Sequence, residues 1–209
     1  MKLMIFGATG GTGARLLDQA LEAGHDVTIL ARNPTSISRE NVTVLQGNVL
    51  NPGPWQSLVA GQDAVLSCLG SIDRKHATTV YSEGTANILA AIRSGAVRRL
   101  ICLSSAGLDI APETPLAQRL VTRLVIQRIY RHGYADMAKM ENLVTASDTD
   151  WTVIRPPMLT NGPLTAEYRT AANAHLTNPK SISRADLAHY ILNHINDQDT
   201  WKNIVEISQ

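Results

Sequence analysis

Three regularly spaced glycines near the start of the chain place the strongest constraint on its fold. Gly7, Gly10 and Gly13 follow directly on the apolar run Lys2–Phe6 and open an amphipathic stretch that ends at Gly24. In such a strand–turn–helix unit, the first glycine permits the tight turn, the second lets backbone approach a pyrophosphate, and the third lets the helix pack on the sheet. The helix N-terminus then offers N–H groups and partial positive charge to phosphate. The turn therefore predicts a dinucleotide site comprising Gly7, Thr9, Gly10, Gly11, Thr12 and Gly13.

The rest of the chain alternates short apolar runs with longer amphipathic ones. The apolar runs predict strands at Lys2–Phe6, Val27–Ala31, Val42–Gln46, Ala64–Leu69, Arg99–Ser104, Trp151–Arg155 and Ile204–Ile207. The amphipathic runs predict helices at Thr12–Ala23, Thr79–Arg93, Leu116–Arg131, Ala135–Ala146 and Arg184–Ile195. Because most strands are continuous Val, Ile and Leu runs, they suit a parallel sheet covered on both faces. We expect an α/β fold with a doubly wound parallel sheet (Rossmann fold), forming one domain over 1–209 with a loop-rich C-terminal cap over 156–182.

Composition and cysteine usage exclude several classes of function. The chain has 209 residues, a formal net charge of +1 and 4% aromatic residues, which argues against a nucleic-acid-binding surface. Cys68 and Cys102 lie in separate apolar runs without metal-ligand spacing, so we expect two reduced thiols and no metal. No apolar run reaches the length of a membrane span. These features predict a cytoplasmic monomer or homodimer whose partner is a small molecule, not a nucleic acid or a membrane.

The residue after the second predicted strand indicates which dinucleotide is bound. An Asp or Glu about 20 residues beyond the glycine turn would hold the ribose 2′-hydroxyl of NAD. The chain has Arg32 there, and its guanidinium offers a fork of donors suited to a 2′-phosphate. We therefore expect NADP(H) rather than NAD(H), the alternative being an arginine that only faces solvent. The next two strand ends complete the expected cofactor site with Asn48, Val49, Leu69 and Gly70.

With these residues, the chain resembles the atypical short-chain dehydrogenase/reductase families. Within them it is similar to the NmrA-like group that contains the NADPH-dependent flavin reductase, also called biliverdin-IXβ reductase. The resemblance covers nearly the whole chain and rests on Gly7–Gly13, Leu30–Pro34, Ala60–Val65, Thr78–Gly84, Arg155–Pro157 and Ile182–Ala188. Many nucleotide binders share the glycine turn, whereas Ala60–Val65 and Thr78–Gly84 are more specific to the flavin-reductase-like group.

The resemblance implies hydride transfer from NADPH to a flavin or a linear tetrapyrrole. It also implies that the glycine turn holds the pyrophosphate, that Arg32 meets the 2′-phosphate, and that Ser105 faces the nicotinamide. Two departures weaken tetrapyrrole and carbonyl chemistry more than flavin chemistry. The flavin reductase places a His directly after Pro-Pro, where this chain has Met158. The wider superfamily uses Tyr-x-x-x-Lys, whereas Tyr134 and Lys139 are five residues apart and would not share one helix face.

Flavin reduction requires little acid–base chemistry from the protein. The protein must stack the isoalloxazine on the nicotinamide and exclude water. FMN or FAD would be a substrate here. The expected catalytic residues are Ser105, which would orient the nicotinamide or the acceptor, and Lys139, which would place a cation in the cleft. A serine that satisfies local backbone and a solvated lysine are the structural alternatives. Cofactor contacts are further expected from Ser104 and Pro156, and acceptor contacts from Pro157 and Met158.

The predicted helix Leu116–Arg131 combines basic residues with an apolar stripe. Its arginines would form either an anion-attracting rim for an acidic acceptor or a solvated face. These arginines are Arg119, Arg123, Arg128 and Arg131. The stripe consists of Leu116, Leu120, Val121, Leu124 and Val125.

Two functions of different classes remain. The first is an NADPH-dependent reductase of a flavin or similar planar acceptor, such as a quinone. The second is a non-catalytic NmrA-like sensor that binds NADP(H) and acts through a protein partner. Met158 and the Tyr134/Lys139 spacing are compatible with a sensor, because both depart from the patterns of the catalytic families. The chain length favours the enzyme, because NmrA-like regulators tend to be longer. An epimerase would need the missing Tyr-x-x-x-Lys, and the G-x-S-x-G motif of hydrolases is absent from the sequence.

Overall fold

The computed structural model describes residues 1–34, 37, 39–71, 73, 75–112 and 114–209, and its centre is an eight-stranded sheet. The strands are β1 (Lys2–Phe6), β2 (Asp26–Ala31), β3 (Val42–Gln46), β4 (Ala64–Ser67), β5 (Arg99–Leu103), β6 (Asp150–Arg155), β7 (Leu159–Thr160), β8 (Arg169–Ala172), β9 (Ile182–Ser183) and β10 (Asn203–Ser208). The sheet order is β3-β2-β1-β4-β5-β6-β10-β8, and β7 pairs with β9 separately. Because the order reverses between β1 and β4, a crevice lies at the carboxyl ends of these strands, where such folds bind ligands.

All seven strands predicted from the apolar runs lie in this sheet and run parallel, so the predicted fold class is confirmed. β1 is central and buried, with Ile5 opposite Ile29 of β2 and Leu66 of β4. The sequence did not predict β8, which is antiparallel to β10 at the sheet edge. Arg169–Ala172 is mostly exposed, and a strand without a covered face leaves no hydrophobic pattern to detect.

Helices cover both faces of the sheet. They are α1 (Gly11–Glu22), α2 (Ser82–Gly95), α3 (Leu116–Val121), α4 (Gln127–Ile129), α5 (Arg131–Thr145) and α6 (Arg184–Asn193). α1 and α6 pack against one face, and α2 and α5 pack against the other; each pair forms its own apolar core with the sheet. In the part of the chain that the structure describes, no helix combines the length and apolar character needed to cross a bilayer.

The segment over residues 116–129 differs from the continuous helix that the sequence predicts. A π-helical turn over Thr122–Ile126 interrupts it between α3 and α4. A π turn holds an extra residue, so it shifts the phase of an apolar stripe. Leu116, Leu120 and Leu124 are exposed by 76%, 56% and 66% instead of packing on the sheet. The apolar stripe is therefore a surface feature of the chain.

Cys68 and Cys102 are free thiols at the carboxyl ends of β4 and β5. Burial raises the pKa of each thiol to about 12, so both remain protonated at neutral pH. This agrees with the expectation of two reduced core cysteines.

A buried carboxylate from α5 holds the start of α2. Asp136 is 2% exposed, and its Oδ2 accepts hydrogen bonds from the N–H groups of Tyr81 at 2.9 Å and Ser82 at 3.3 Å. Its Oδ1 accepts the Ser82 hydroxyl. The first N–H groups of a helix have no partner within the helix, so Asp136 caps α2 from a different element. The helix begins at Ser82, three residues after the predicted Thr79, although the Glu83 N–H already donates to the Thr79 carbonyl at 2.8 Å.

Asp136→Ala is expected to lower the free energy of unfolding by about 2–3 kcal/mol, because it leaves buried N–H groups unpaired and removes an anion from a helix N-terminus. Denaturant-induced unfolding measures the change. Glu83→Gln is the matched control, since it removes an exposed negative charge from the first turn of the same helix and should cost less than about 1 kcal/mol. Equal destabilisation by the two variants would contradict the capping role.

Candidate functional site

The glycine turn leaves the N-terminus of α1 open to an anion. Gly7 has a φ of +79°, and its carbonyl accepts the Gly10 N–H at 2.9 Å. Gly10 is the N-cap residue, and among the residues that the structure describes no side-chain hydrogen bond caps the helix. The first N–H groups of α1 therefore point outward without a capping side chain, as phosphate binding at a helix N-terminus requires.

The same glycines create the space that a pyrophosphate needs. A Cβ on Gly7 would collide with the Cys68 carbonyl oxygen, and a Cβ on Gly13 would collide with the Gly7 carbonyl oxygen. A Cβ on Gly10 would lie 3.3 Å from the Gly7 oxygen, a close but less severe contact. Thr9 is exposed at the turn, and Thr12 is buried in the first turn of α1. These contacts fit the roles that the sequence assigns to the three glycines.

The adenosine side of the expected site has one basic and one apolar region. Arg32 is exposed directly after β2. Val49 is buried, and a Cβ on Gly84 would lie 3.0 Å from Leu69 and 3.1 Å from Val49, so these two side chains lie close together. The Asn48 side chain instead accepts the Leu50 N–H at 3.1 Å, which gives it a local turn-forming role.

Gly70 has an exposed position after β4. A Cβ there would meet nothing within 4 Å, so packing does not require glycine at this site. The next residue is held more firmly, because the Ser71 N–H donates to the Tyr81 hydroxyl at 3.1 Å.

A buried hydroxyl follows the carboxyl end of β5. Ser104 is 7% exposed, and within the described residues its Oγ has no hydrogen-bond partner. A buried polar atom without a partner is costly unless a ligand or a water satisfies it. Its N–H donates to Ile154 of β6 at 2.8 Å, which fixes the strand end. The hydroxyl therefore fits a residue that contacts a bound cofactor, the role that the sequence assigns to Ser104.

Ser105 lies beside Tyr134, which was not among the predicted catalytic residues. The Ser105 hydroxyl accepts the Gly107 N–H at 3.2 Å and donates to the Tyr134 hydroxyl at 3.4 Å. A Cβ on Gly107 would collide with the Tyr134 oxygen, so this glycine admits the phenol. The structural alternative for Ser105, a hydroxyl that satisfies local backbone, is thus present, and a second hydroxyl lies next to it.

Tyr134 is protonated and has no lysine beside it among the described residues. Burial raises the pKa of Tyr134 above its ordinary value, and the hydrogen bond from Ser105 offsets only part of that shift. Tyr134 therefore carries its proton at neutral pH. Lys139 is exposed on the same helix, and no hydrogen bond or ion pair within the described residues links it to Ser105 or Tyr134. The structure brings Tyr134 to Ser105 and leaves Lys139 at the surface.

The Pro-Pro turn lies against this pair. The Pro156 carbonyl accepts the Ala106 N–H at 3.0 Å, which holds the end of β6 next to the residues after β5. Pro156 is buried, Pro157 is half-buried and Met158 is 74% exposed. The Met158 carbonyl accepts the Ile182 N–H at 3.1 Å, so its backbone is fixed while its side chain faces outward.

A polar cleft of about 500 Å³ adjoins Tyr134. Arg155 and Glu141 form a two-point ion pair on its wall, with nitrogen–oxygen distances of 2.9 and 2.6 Å. Arg131 also lines the cleft, while Arg123 and Arg128 are exposed elsewhere on the neighbouring segment. Arg119 of α3 is half-buried and does not line the cleft. Of the four arginines predicted as a possible rim, Arg131 is therefore the one that lines the cleft beside Tyr134.

Comparison with known proteins gives distant but extensive similarity. The chain is 26% identical over 206 residues to the uncharacterized protein YwnB of Bacillus subtilis (strain 168), covering 93% of this chain and 92% of that protein. It is 25% identical over 121 residues to the photosystem II assembly factor Ycf39 of Synechocystis, covering 56% of this chain but only 37% of Ycf39.

A solved short-chain dehydrogenase/reductase from Veillonella parvula in complex with NADP has a TM-score of 0.81 and 22% identity, covering 100% of this chain and 94% of that one. This similarity shows the fold. The family model described as NAD(P)H-binding matches residues 7–198, from the first glycine of the turn to beyond α6. The chain belongs to this NAD(P)H-binding family.

Proposed function

We propose that the chain is an NADPH-dependent reductase that transfers hydride to a flavin or a similar planar acceptor, such as a quinone. The observation that carries this proposal is the Ser105–Tyr134 hydroxyl pair, 3.4 Å apart at the end of β5. The partnerless Ser104 hydroxyl next to it supports a cofactor at the same place.

The choice of NADPH rests on the exposed Arg32 after β2, which suits a 2′-phosphate. The Veillonella structure with NADP supports the same choice. The glycine turn, Arg32 and Ser104 would hold the cofactor, which supplies the hydride when bound. Ser105, fixed by the Gly107 N–H, would orient the reacting ring against the acceptor.

Arg32→Ala is expected to weaken NADPH binding about 10–100-fold and to leave NADH binding nearly unchanged, because only NADPH carries the phosphate that the guanidinium would meet. Fluorescence titration with each cofactor measures the two dissociation constants. Arg93→Ala, which removes an exposed positive charge from the last turn of α2, should change neither. If Arg32→Ala weakened NADPH and NADH equally, the assignment of this residue to the 2′-phosphate would fail.

The surroundings of Tyr134 favour a planar acceptor. The Tyr130 and Tyr134 rings stack with centroids 5.8 Å apart, and the exposed Met158 offers a soft apolar surface to a ring. Carbonyl reduction is usually helped by a lysine that acidifies the tyrosine, whereas the Tyr134 pKa is raised here. A flavin or quinone accepts hydride with only a weak acid or water as the proton source. Tyr134 would therefore act as a hydrogen-bond donor and modest proton donor.

The loss of NADPH absorbance at 340 nm, with FMN, FAD or a benzoquinone as acceptor, tests the proposal. We expect acceptor-dependent oxidation of NADPH well above the rate without protein, and slower oxidation of NADH. NADPH binding without turnover on any of these acceptors would overturn the reductase. That outcome would favour the non-catalytic sensor, for which the exposed apolar residues Leu116, Leu120 and Leu124 supply a surface for a protein partner.

A further inference from the structure

We propose that Arg184, in addition to Arg32, is a cationic residue that binds the cofactor. Arg184 would contact the pyrophosphate from above Gly11, at the start of α1. This inference deepens the proposed NADPH site and assigns a role to a residue that lies about 150 positions beyond Arg32 in the sequence. It depends on cofactor binding and is independent of which acceptor is reduced.

The position of Arg184 follows from the packing of two helices. Arg184 is the first residue of α6, which lies beside α1, and the Gln19 side chain of α1 donates to the Ala185 carbonyl at 2.9 Å. The Arg184 side chain reaches over the start of α1. A Cβ on Gly11 would lie 2.7 Å from Arg184 Nε and 2.9 Å from its Cδ. The guanidinium group therefore stands directly above the first residue of the helix that receives the phosphate.

The charge of Arg184 has no opposite charge beside it in the described part of the chain. Its Nη1 donates to Asn161 Oδ1 at 2.8 Å and, more weakly, to the Leu159 carbonyl at 3.5 Å, and both oxygens are neutral. The first turn of α1 holds no acidic residue. A guanidinium next to the positive end of a helix dipole is unfavourable unless an anion lies between them. The arrangement thus suits a doubly charged pyrophosphate, which both groups would attract.

Asn161 keeps the guanidinium in this place without neutralising it. The amide oxygen accepts one Nη1 hydrogen bond, so the other N–H groups of the arginine can point at a phosphate. Gly11 completes the arrangement, because any side chain there would displace the arginine. Gly11, Asn161 and Arg184 therefore act together on one phosphate position.

Ligands that carry only part of NADPH separate this role from that of Arg32. ADP-ribose contains the pyrophosphate without the 2′-phosphate, and adenosine 2′-monophosphate contains the 2′-phosphate without the pyrophosphate. Arg184→Ala is expected to weaken NADPH, NADH and ADP-ribose binding about 10-fold or more and to leave adenosine 2′-monophosphate binding within 2-fold. Arg32→Ala should show the reverse pattern for the two fragments.

Calorimetric titration of the folded variants gives these affinities without any turnover, so a missing reductase activity would not decide the result. Arg184→Lys, which keeps the charge, should recover part of the affinity, and it provides a second variant if the alanine variant fails to fold. Arg93→Ala should again bind all ligands normally. Unchanged ADP-ribose affinity in Arg184→Ala, or equal weakening of both fragments, would overturn the proposed pyrophosphate contact.

Discussion

Gly7→Ala is expected to destabilise the protein by about 3 kcal/mol or more and to abolish measurable NADPH binding. The residue has a φ of +79°, which an L-residue adopts only with strain, and an added Cβ would collide with the Cys68 carbonyl oxygen. Because the added Cβ is fixed to the backbone of the turn and the Cys68 oxygen belongs to the backbone after β4, neither atom can move without displacing β1 from β4. Thermal unfolding and cofactor titration measure the two effects.

Gly24→Ala is the matched control for this prediction. Gly24 has almost the same backbone angle, with a φ of +74°, but a Cβ there would meet nothing within 4 Å. The variant should therefore show only the conformational cost of about 1–2 kcal/mol and should bind NADPH normally. If the two variants were equally stable and bound cofactor equally well, the close approach at Gly7 would not be a requirement of the turn.

Tyr134→Phe is expected to lower kcat/KM for acceptor reduction by about 10²-fold, the low end of the range for a lost proton donor because water can replace part of its role, while the dissociation constant of NADPH stays unchanged. The substitution removes the hydroxyl that accepts a hydrogen bond from Ser105 and leaves the ring stacked on Tyr130. Steady-state kinetics at 340 nm and a parallel cofactor titration separate the chemical effect from the binding effect.

Tyr168→Phe removes a hydroxyl far from the proposed site and serves as the control. The Tyr168 hydroxyl is paired with Nδ1 of His189 on α6, at 3.0 Å. Turnover should be close to that of the unchanged protein. A Tyr134→Phe variant that reduced the acceptor at the same rate as Tyr168→Phe would show that the phenol has no part in the reaction.

The parallel sheet and the nucleotide turn were predictable because each leaves a local pattern in the sequence. A strand segment covered on both faces, such as Leu3–Phe6 of β1, must be apolar throughout, and a turn with the geometry of Gly7–Gly13 must contain glycine. The edge strand Arg169–Ala172 has neither constraint and was missed. Sequence patterns therefore identify elements in which burial or close backbone contact restricts the residue types.

The surroundings of Ser105 and Tyr134 were harder to predict because they depend on contacts between distant residues. Lys139 was predicted to place a cation in the cleft, although its five-residue spacing from Tyr134 argued against a shared helix face, and the structure places this lysine at the surface. The partner of Tyr134 is Ser105, 29 residues earlier, and no spacing rule within one helix reveals that contact. The capping of α2 by Asp136 and the position of Arg184 over Gly11 likewise require the assembled fold. A glycine two residues after Ser105, at Gly107, is the local signal that could have pointed to a close neighbour.

Calorimetric titration of the purified protein with NADPH, repeated with NADH, is the decisive experiment for the cofactor assignment. We expect one binding site per chain and clearly tighter binding of NADPH than of NADH. If neither cofactor bound, the assignment of the glycine turn to a pyrophosphate would be wrong. The proposed roles of Arg32 and Arg184 and the proposed hydride transfer would then be wrong as well.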